Sequence, residues 1–184
     1  SWIAKFPNEH ARDGEADFLV LNPKSGLLII EVKGGGIHFD SSTNTWTSVD
    51  RYGHKHQIKD PFYQARKSKY DILSKLSENP LWGKVSQGKV IMGYATVFPD
   101  ITGKQRMIGP NRPPAIIATM EEISSIQRWV ANAIAWWANE DKGARPLGQP
   151  AAEIIEKTFS RSFTVLPLAG KRMEQEEHRR ITLT

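Results

Sequence analysis

The chain has 184 residues, 39% hydrophobic and 24% charged, enough apolar material for one domain with a buried core and too much for a disordered chain. It contains no cysteine, which excludes disulfide scaffolds, thiolate zinc sites, iron–sulfur clusters and Cys nucleophiles. Twenty-five Lys and Arg against twenty Asp and Glu leave a net charge of +5, which suits a polyanionic partner without requiring one.

In chain order, residues 2–6 form a short apolar stretch and 7–14 a polar one rich in turn formers. Residues 16–21 read as a strand, 22–26 as a turn and 27–33 as a second strand. Gly34, Gly35 and Gly36 break the pattern; with no helix and no Lys-Ser/Thr following, they let the chain turn and do not form a phosphate loop. Residues 37–39 and 45–49 alternate around 40–44, as in a small hairpin. His54-Lys55-His56 reads as a solvated loop. Asp60-Pro61 predicts a helix start, with Phe62, Ala65, Ile72, Leu73 and Leu76 keeping a helical period to about Ser77. Residues 89–98 and 115–118 read as strands. Thr119-Met120-Glu121-Glu122 has the form of a capping box. Ile123, Ile126, Val130, Ile134 and Trp137 continue from it on one face, with Trp129 and Trp136 as core aromatics. A last helix is expected over 151–159. The order argues for a mixed α/β fold. The longest apolar runs, 27–30 and 133–138, fall far short of the roughly 20 residues a spanning helix needs, so no membrane partner is expected. No leader pattern is legible at the start, and a cytoplasmic location is the expectation. The opening Ser1-Trp2, without Met, leads us to expect further chain upstream.

The chemistry concentrates in Glu15-Ala16-Asp17 and in Glu31-Val32-Lys33. If the turn closes symmetrically about Lys24, Asp17 falls opposite Glu31, and Glu15 opposite Lys33. Directly opposed residues have Cβ atoms about 4.5–5.5 Å apart, and like charges there destabilise. At an effective dielectric near 20, two carboxylates about 5 Å apart repel by roughly 3 kcal/mol. A cation between them removes that cost. Without His or Cys nearby, the all-oxygen set suits Mg²⁺ or Mn²⁺. Lys33 leaves the strand on the same face as Glu31. A metal, two carboxylates and an ammonium suit a phosphodiester. From Arg51 to Lys69 the chain carries Arg51, Lys55, Lys59, Arg66, Lys67 and Lys69 against Asp60 alone, so this run is the candidate for phosphate contacts.

Asp17 followed by Glu31-Val32-Lys33 at the end of an apolar strand resembles the PD-(D/E)XK nucleases. The wording Glu-Ala-Asp-Phe-Leu-Val-Leu through Ile-Ile-Glu-Val-Lys-Gly-Gly is similar to the nuclease-related domain (NERD) family, over roughly residues 1–100. The resemblance implies a mixed central sheet flanked by helices with a restriction-endonuclease-like core, and a Mg²⁺-dependent nuclease acting on DNA more than RNA. It implies Asp17 and Glu31 as metal ligands with the Val32 carbonyl, Lys33 acting on water or transition-state charge, and Gln64 assisting from the first helix. Related nucleases carry a further acid on a helix before the first strand, which this chain begins too late to contain; an enzyme depending on that acid would be inactive as this fragment. Some related exonucleases have Tyr four residues after the Gln, where Ser68 stands here, with Tyr70 two further on. We expect the nuclease-related domain over 1–168 and a charged tail over 169–184. The ending Arg180-Ile181-Thr182-Leu183-Thr184 resembles the entry to a superfamily 1 helicase domain, so a helicase in the same polypeptide is an expected partner. The rival reading is a non-catalytic DNA-binding or docking module on the same fold. A glycosidase using the Asp17–Glu31 pair leaves Lys33 and the basic run without a role.

Overall fold

In a computed structural model, the structure describes residues 2–4 (backbone only), 16–86 and 88–159. Glu15 and the tail from 160 onward lie outside these residues, and with them the expected Glu15–Lys33 pair and the helicase-like ending.

The first hairpin is β2 (Phe18–Asn22) and β3 (Gly26–Val32), antiparallel, with Phe18 opposite Ile30 and Asn22 opposite Gly26. This is the register expected from a turn centred on Lys24. The Asn22 side chain secures the turn by accepting the Lys24 N–H at 2.9 Å. β1 (Trp2–Ala4) pairs antiparallel outside β2. On the other side, β7 (Met92–Phe98) runs parallel to β3, and β8 (Ile117–Thr119) parallel to β7. The result is a five-stranded mixed sheet in the order β1-β2-β3-β7-β8.

Residues 27–30 are buried without alternation because both sheet faces are covered. On one face Leu19, Leu21, Leu27, Ile29 and Met92 pack with Ile72 and Leu76 of α1 (Pro61–Ser77) and with Ala151 and Ile155 of α5 (Gln149–Phe159). Val20, Leu28, Ile30, Ala95 and Val97 meet Trp129, Ala133 and Ile134 of α4 (Ile126–Glu140) on the other. Gly93 lets α4 approach: a Cβ there would collide with the Trp137 indole, whose Nε1 donates to the Tyr94 carbonyl at 2.9 Å. Trp129 is in the core and Trp136 packs against it, as the helical stripe implied.

Between β3 and β7 the chain makes a separate antiparallel ribbon, β4 (Gly36–Asp40), β5 (Thr45–Val49) and β6 (Lys55–Ile58), then α1 and the short α2 (Trp82–Ser86). An aromatic chain ties the ribbon to the rest. Ring centroids are 4.7 Å apart for Phe39 and Trp46, 5.8 Å for Trp46 and Phe62, and 6.0 Å for Phe62 and Phe98. The Arg112 guanidinium caps it, 4.5 Å from the Phe39 ring, 5.5 Å from Trp46 and 5.9 Å from Phe62.

Four local expectations need correction, the first being the strand read over 115–118, of which 115 and 116 belong to a 3₁₀ turn over Pro114–Ile116 and only the remainder to β8. The stretch read as a loop at His54-Lys55-His56 enters strand β6, although residues 55–57 are exposed and lack apolar alternation. Backbone pairing makes that strand, seeded by a turn in which Asp50 Oδ1 accepts the N–H groups of Tyr52 and His54. His54 and His56 also turn their rings onto Asp50 Oδ2, at 3.2 and 3.3 Å. The single helix expected after Thr119 is two, α3 (Met120–Ile123) and α4, broken at Ser124-Ser125, where the Ser125 backbone leaves helical angles (ψ 36°). Its Glu122 still accepts both the Thr119 N–H and hydroxyl, at 2.8 and 2.9 Å. Finally, β7 starts at Met92 because residues 89 and 91 spend backbone groups on Arg145.

Candidate active site

The hairpin register ends at Phe18↔Ile30, and Asp17, the residue just before β2, is held at the end of β3 by its contact with the Val32 backbone. The two carboxylates are neutralised differently. Asp17 Oδ2 accepts the Val32 N–H at 2.7 Å, while Lys33 Nζ lies 2.7 Å from Glu31 Oε1. The Glu31 side chain is only 5% exposed, so it is a desolvated carboxylate held by an adjacent ammonium. Lys33, the residue after β3, thus pairs back onto the end of that strand.

Strand parity puts Glu31 on the face of Leu27 and Ile29, the face α1 covers. Within α1, Gln64 lies a helical turn before Ser68 and two before Ile72, both buried, so it points to the same layer. Its Oε1 is buried and has no hydrogen-bond partner among the described residues. The same is true of Thr96 Oγ1. Thr96 stands opposite Glu31 in the β3–β7 register and is fully buried. Sequence reasoning passed over Thr96; the only signal for it was a hydroxyl in an otherwise apolar strand. Two buried oxygens without partners, a carbonyl of Gln64 and a hydroxyl of Thr96, are of the hard-oxygen kind that a cation or an ordered water can satisfy.

The glycines shape the rim. Gly35 has φ +79°, and a Cβ there would lie 2.6 Å from the Val49 carbonyl oxygen, so the turn out of β3 admits only glycine. Asp100, just beyond β7, accepts the Gly35 N–H at 2.7 Å and pins that turn to the end of the sheet.

The candidate phosphate contacts do not form one patch of free cations. Arg51, Lys55, Lys59 and Arg66 are exposed. Lys67 pairs with Asp71 at 2.6 Å, a hydrogen bond that holds its ammonium above the ordinary lysine range. Lys69 is half-buried with its Nζ 4.7 Å from the centre of the Trp137 ring, and burial pulls its pKa down.

The family model of the nuclease-related domain matches residues 4–99, a span that includes Asp17, Glu31, Lys33 and Gln64. The chain belongs to the nuclease-related domain family. No curated protein and no solved structure matches it. The match runs from β1 through β7, so this nuclease-related domain draws its hairpin, ribbon and first helix from the family, while α4 and α5 lie beyond the matched residues. Among the described residues no helix is long and apolar enough to cross a membrane.

Proposed function

We propose that the domain is a metal-dependent nuclease that hydrolyses phosphodiester bonds of nucleic acid, DNA in preference to RNA. The observation that carries this reading is the register of the first hairpin, which brings Asp17 to the Glu31-Val32-Lys33 corner with Lys33 Nζ against Glu31. A restriction-endonuclease-like core agrees with the mixed sheet, its parallel β3–β7 pair and the helix covering the carboxylate face.

The donor set fits Mg²⁺ or Mn²⁺. The described residues contain no cluster of three His, Asp or Glu able to hold a metal alone. Mg²⁺ is commonly held by one or two carboxylates with water and substrate phosphate completing its shell. Asp17 and Glu31 would supply the carboxylates and the Val32 carbonyl a neutral oxygen. When bound, the ion polarises the phosphate and lowers the pKa of a coordinated water. Lys33, anchored by Glu31, sets a fixed positive charge beside the scissile group, where it stabilises the charge developing on the phosphoryl oxygens. Gln64 has the buried carbonyl oxygen and an amide that can orient a water. Around the corner, exposed Arg51, Lys55, Lys59 and Arg66 supply sequence-independent phosphate contacts. The tail after residue 168 leads, in this reading, toward a helicase domain of the same polypeptide.

One observation favours the rival module. Asp17 and Glu31 already have an N–H and an ammonium as partners, so the protein itself offsets part of their repulsion. A plasmid-nicking assay decides between the two. The nuclease reading expects cleavage with Mg²⁺ or Mn²⁺ that stops with EDTA and is lost in Asp17→Asn and Glu31→Gln. DNA retention without cleavage, in this chain and in one extended upstream, would establish the module instead.

A further inference from the structure

Helix α1 has a second face that the proposed chemistry does not use. Its inner face buries Phe62, Ala65, Ser68, Ile72 and Leu76. The outer face presents Tyr63 and Tyr70, 53% and 60% exposed. Arg66 lies between them, one turn from each, so the three share a stripe. Arg66 Cζ is 5.7 Å from the centre of the Tyr63 ring, and Lys69 Nζ is 5.9 Å from that of Tyr70. Arg66 makes no ion pair with a carboxylate among the described residues, whereas its neighbour Lys67 is taken by Asp71. The stripe thus presents two solvent-facing rings with a guanidinium between them that no carboxylate of the described residues neutralises. The stripe also has a direction. Tyr63 precedes Gln64 and so starts beside the carboxylate layer. Tyr70 borders a groove lined by Lys69, Leu73, Lys89 and Trp137 together with Glu140 and Asp141.

We propose that this face of α1 is a track for single-stranded nucleic acid, with unpaired bases stacking on Tyr63 and Tyr70 and one of the phosphates between them held by Arg66. The inference deepens the nuclease reading, and rests on it, by naming the form of the substrate. Seven residues of helix separate the two Cα atoms by about 10.5 Å. That is roughly three steps of a strand stacked at about 3.4 Å per nucleotide. Bases in a duplex turn their faces to one another and cannot reach a protein ring, whereas an unpaired base offers its π-face whatever its identity. The partner is therefore chosen by strandedness and not by sequence.

The experiment is fluorescence anisotropy of the full chain, in EDTA, with labelled dT15, rU15 and a 15-base-pair duplex. One of the single strands should bind at least tenfold more tightly than the duplex. Tyr63→Ala and Tyr70→Ala should each weaken that strand by about fivefold or more. The slope of log K against log salt should stay unchanged in both, since no charge is removed. Tyr63→Phe and Tyr70→Phe keep the ring and should bind as the parent does, which also controls for folding. Arg66→Ala should flatten the slope by about 0.7. Equal binding of single strand and duplex, with the alanine variants unaltered, overturns the track while leaving phosphodiester cleavage standing. Tight single-strand binding with the tyrosine dependence, but no cleavage of that labelled single strand when Mg²⁺ or Mn²⁺ replaces EDTA, keeps the track and removes the catalyst.

Discussion

The two sheets of this domain are held by opposite means. In the five-stranded sheet, β3 is buried on both faces, and a one-residue slip in its pairing would drive Glu31 into the apolar layer beneath α4. The three-stranded ribbon is mostly half-buried, with residues 55–57 open to solvent, and depends on the aromatic chain from Phe39 through Trp46 and Phe62 to Phe98. A sheet with two covered faces sets geometry to a fraction of an ångström and can keep a desolvated carboxylate beside an ammonium. The ribbon is covered on one face only, through Ile37, Phe39, Trp46 and Ile58. The candidate chemistry sits on the first sheet, and the exposed Arg51 and Lys55 sit on the second.

The largest effect is expected where the ribbon's tie is cut. Trp46→Ala should lower the ribbon's local opening free energy by about 3–5 kcal/mol, since a buried Trp and its ring contacts are lost. Hydrogen exchange should then show β4–β6 amides losing protection while those of β3 and β7 keep theirs. Equal loss in both sheets would mean that they unfold as one unit. Next comes the carboxylate corner. Lys33→Ala should slow cleavage a hundred- to a thousandfold, about 3–4 kcal/mol, with Mn²⁺ affinity by calorimetry little changed. Lys33→Arg should not restore it, because a planar fork is a poor substitute for a compact ammonium. Collapse of metal binding in Lys33→Ala would make the Lys33–Glu31 pair structural.

A smaller effect belongs to the ribbon's cap. Arg112→Ala removes a guanidinium stacked near three rings and should cost about 1–2 kcal/mol, seen as a lower Tm, with Arg112→Lys recovering part of it. The smallest lies at the edge of the main sheet. Burial pushes the Glu122 carboxyl up, but hydrogen bonds from Lys104 and Thr119 outweigh it and hold the group below the ordinary carboxylate range. A depressed folded pKa adds stability that is present above the unfolded value, about pH 4.3, and is lost as the pH falls through the folded value. The Tm difference between the parent and Glu122→Gln should therefore shrink on acidification below about pH 4. A constant difference would assign Glu122 a cap independent of its charge.

Local rules sufficed wherever the decisive interactions lie within a few residues. The five-residue turn at Asn22–Gly26 set the hairpin register, which pairs Phe18 with Ile30. Asp60-Pro61 marked the start of α1, and Thr119 with Glu122 marked α3. What the sequence alone could not show depends on pieces distant along the chain. Strand β6 has no hydrophobic alternation and exists because β5 offers it a backbone edge. Lys69 reads as one more basic residue in a run, yet Trp137, far along the chain, draws it under cover. Thr96 comes beside Glu31 only through the parallel pairing of β3 and β7, and Arg112 matters only because three rings from three elements converge on it. The stripe of Tyr63, Arg66 and Tyr70 lay in plain view as a spacing of three and four. Only the packing of α1 decided that these side chains face water, because that choice turns on which side of the helix the sheet buries.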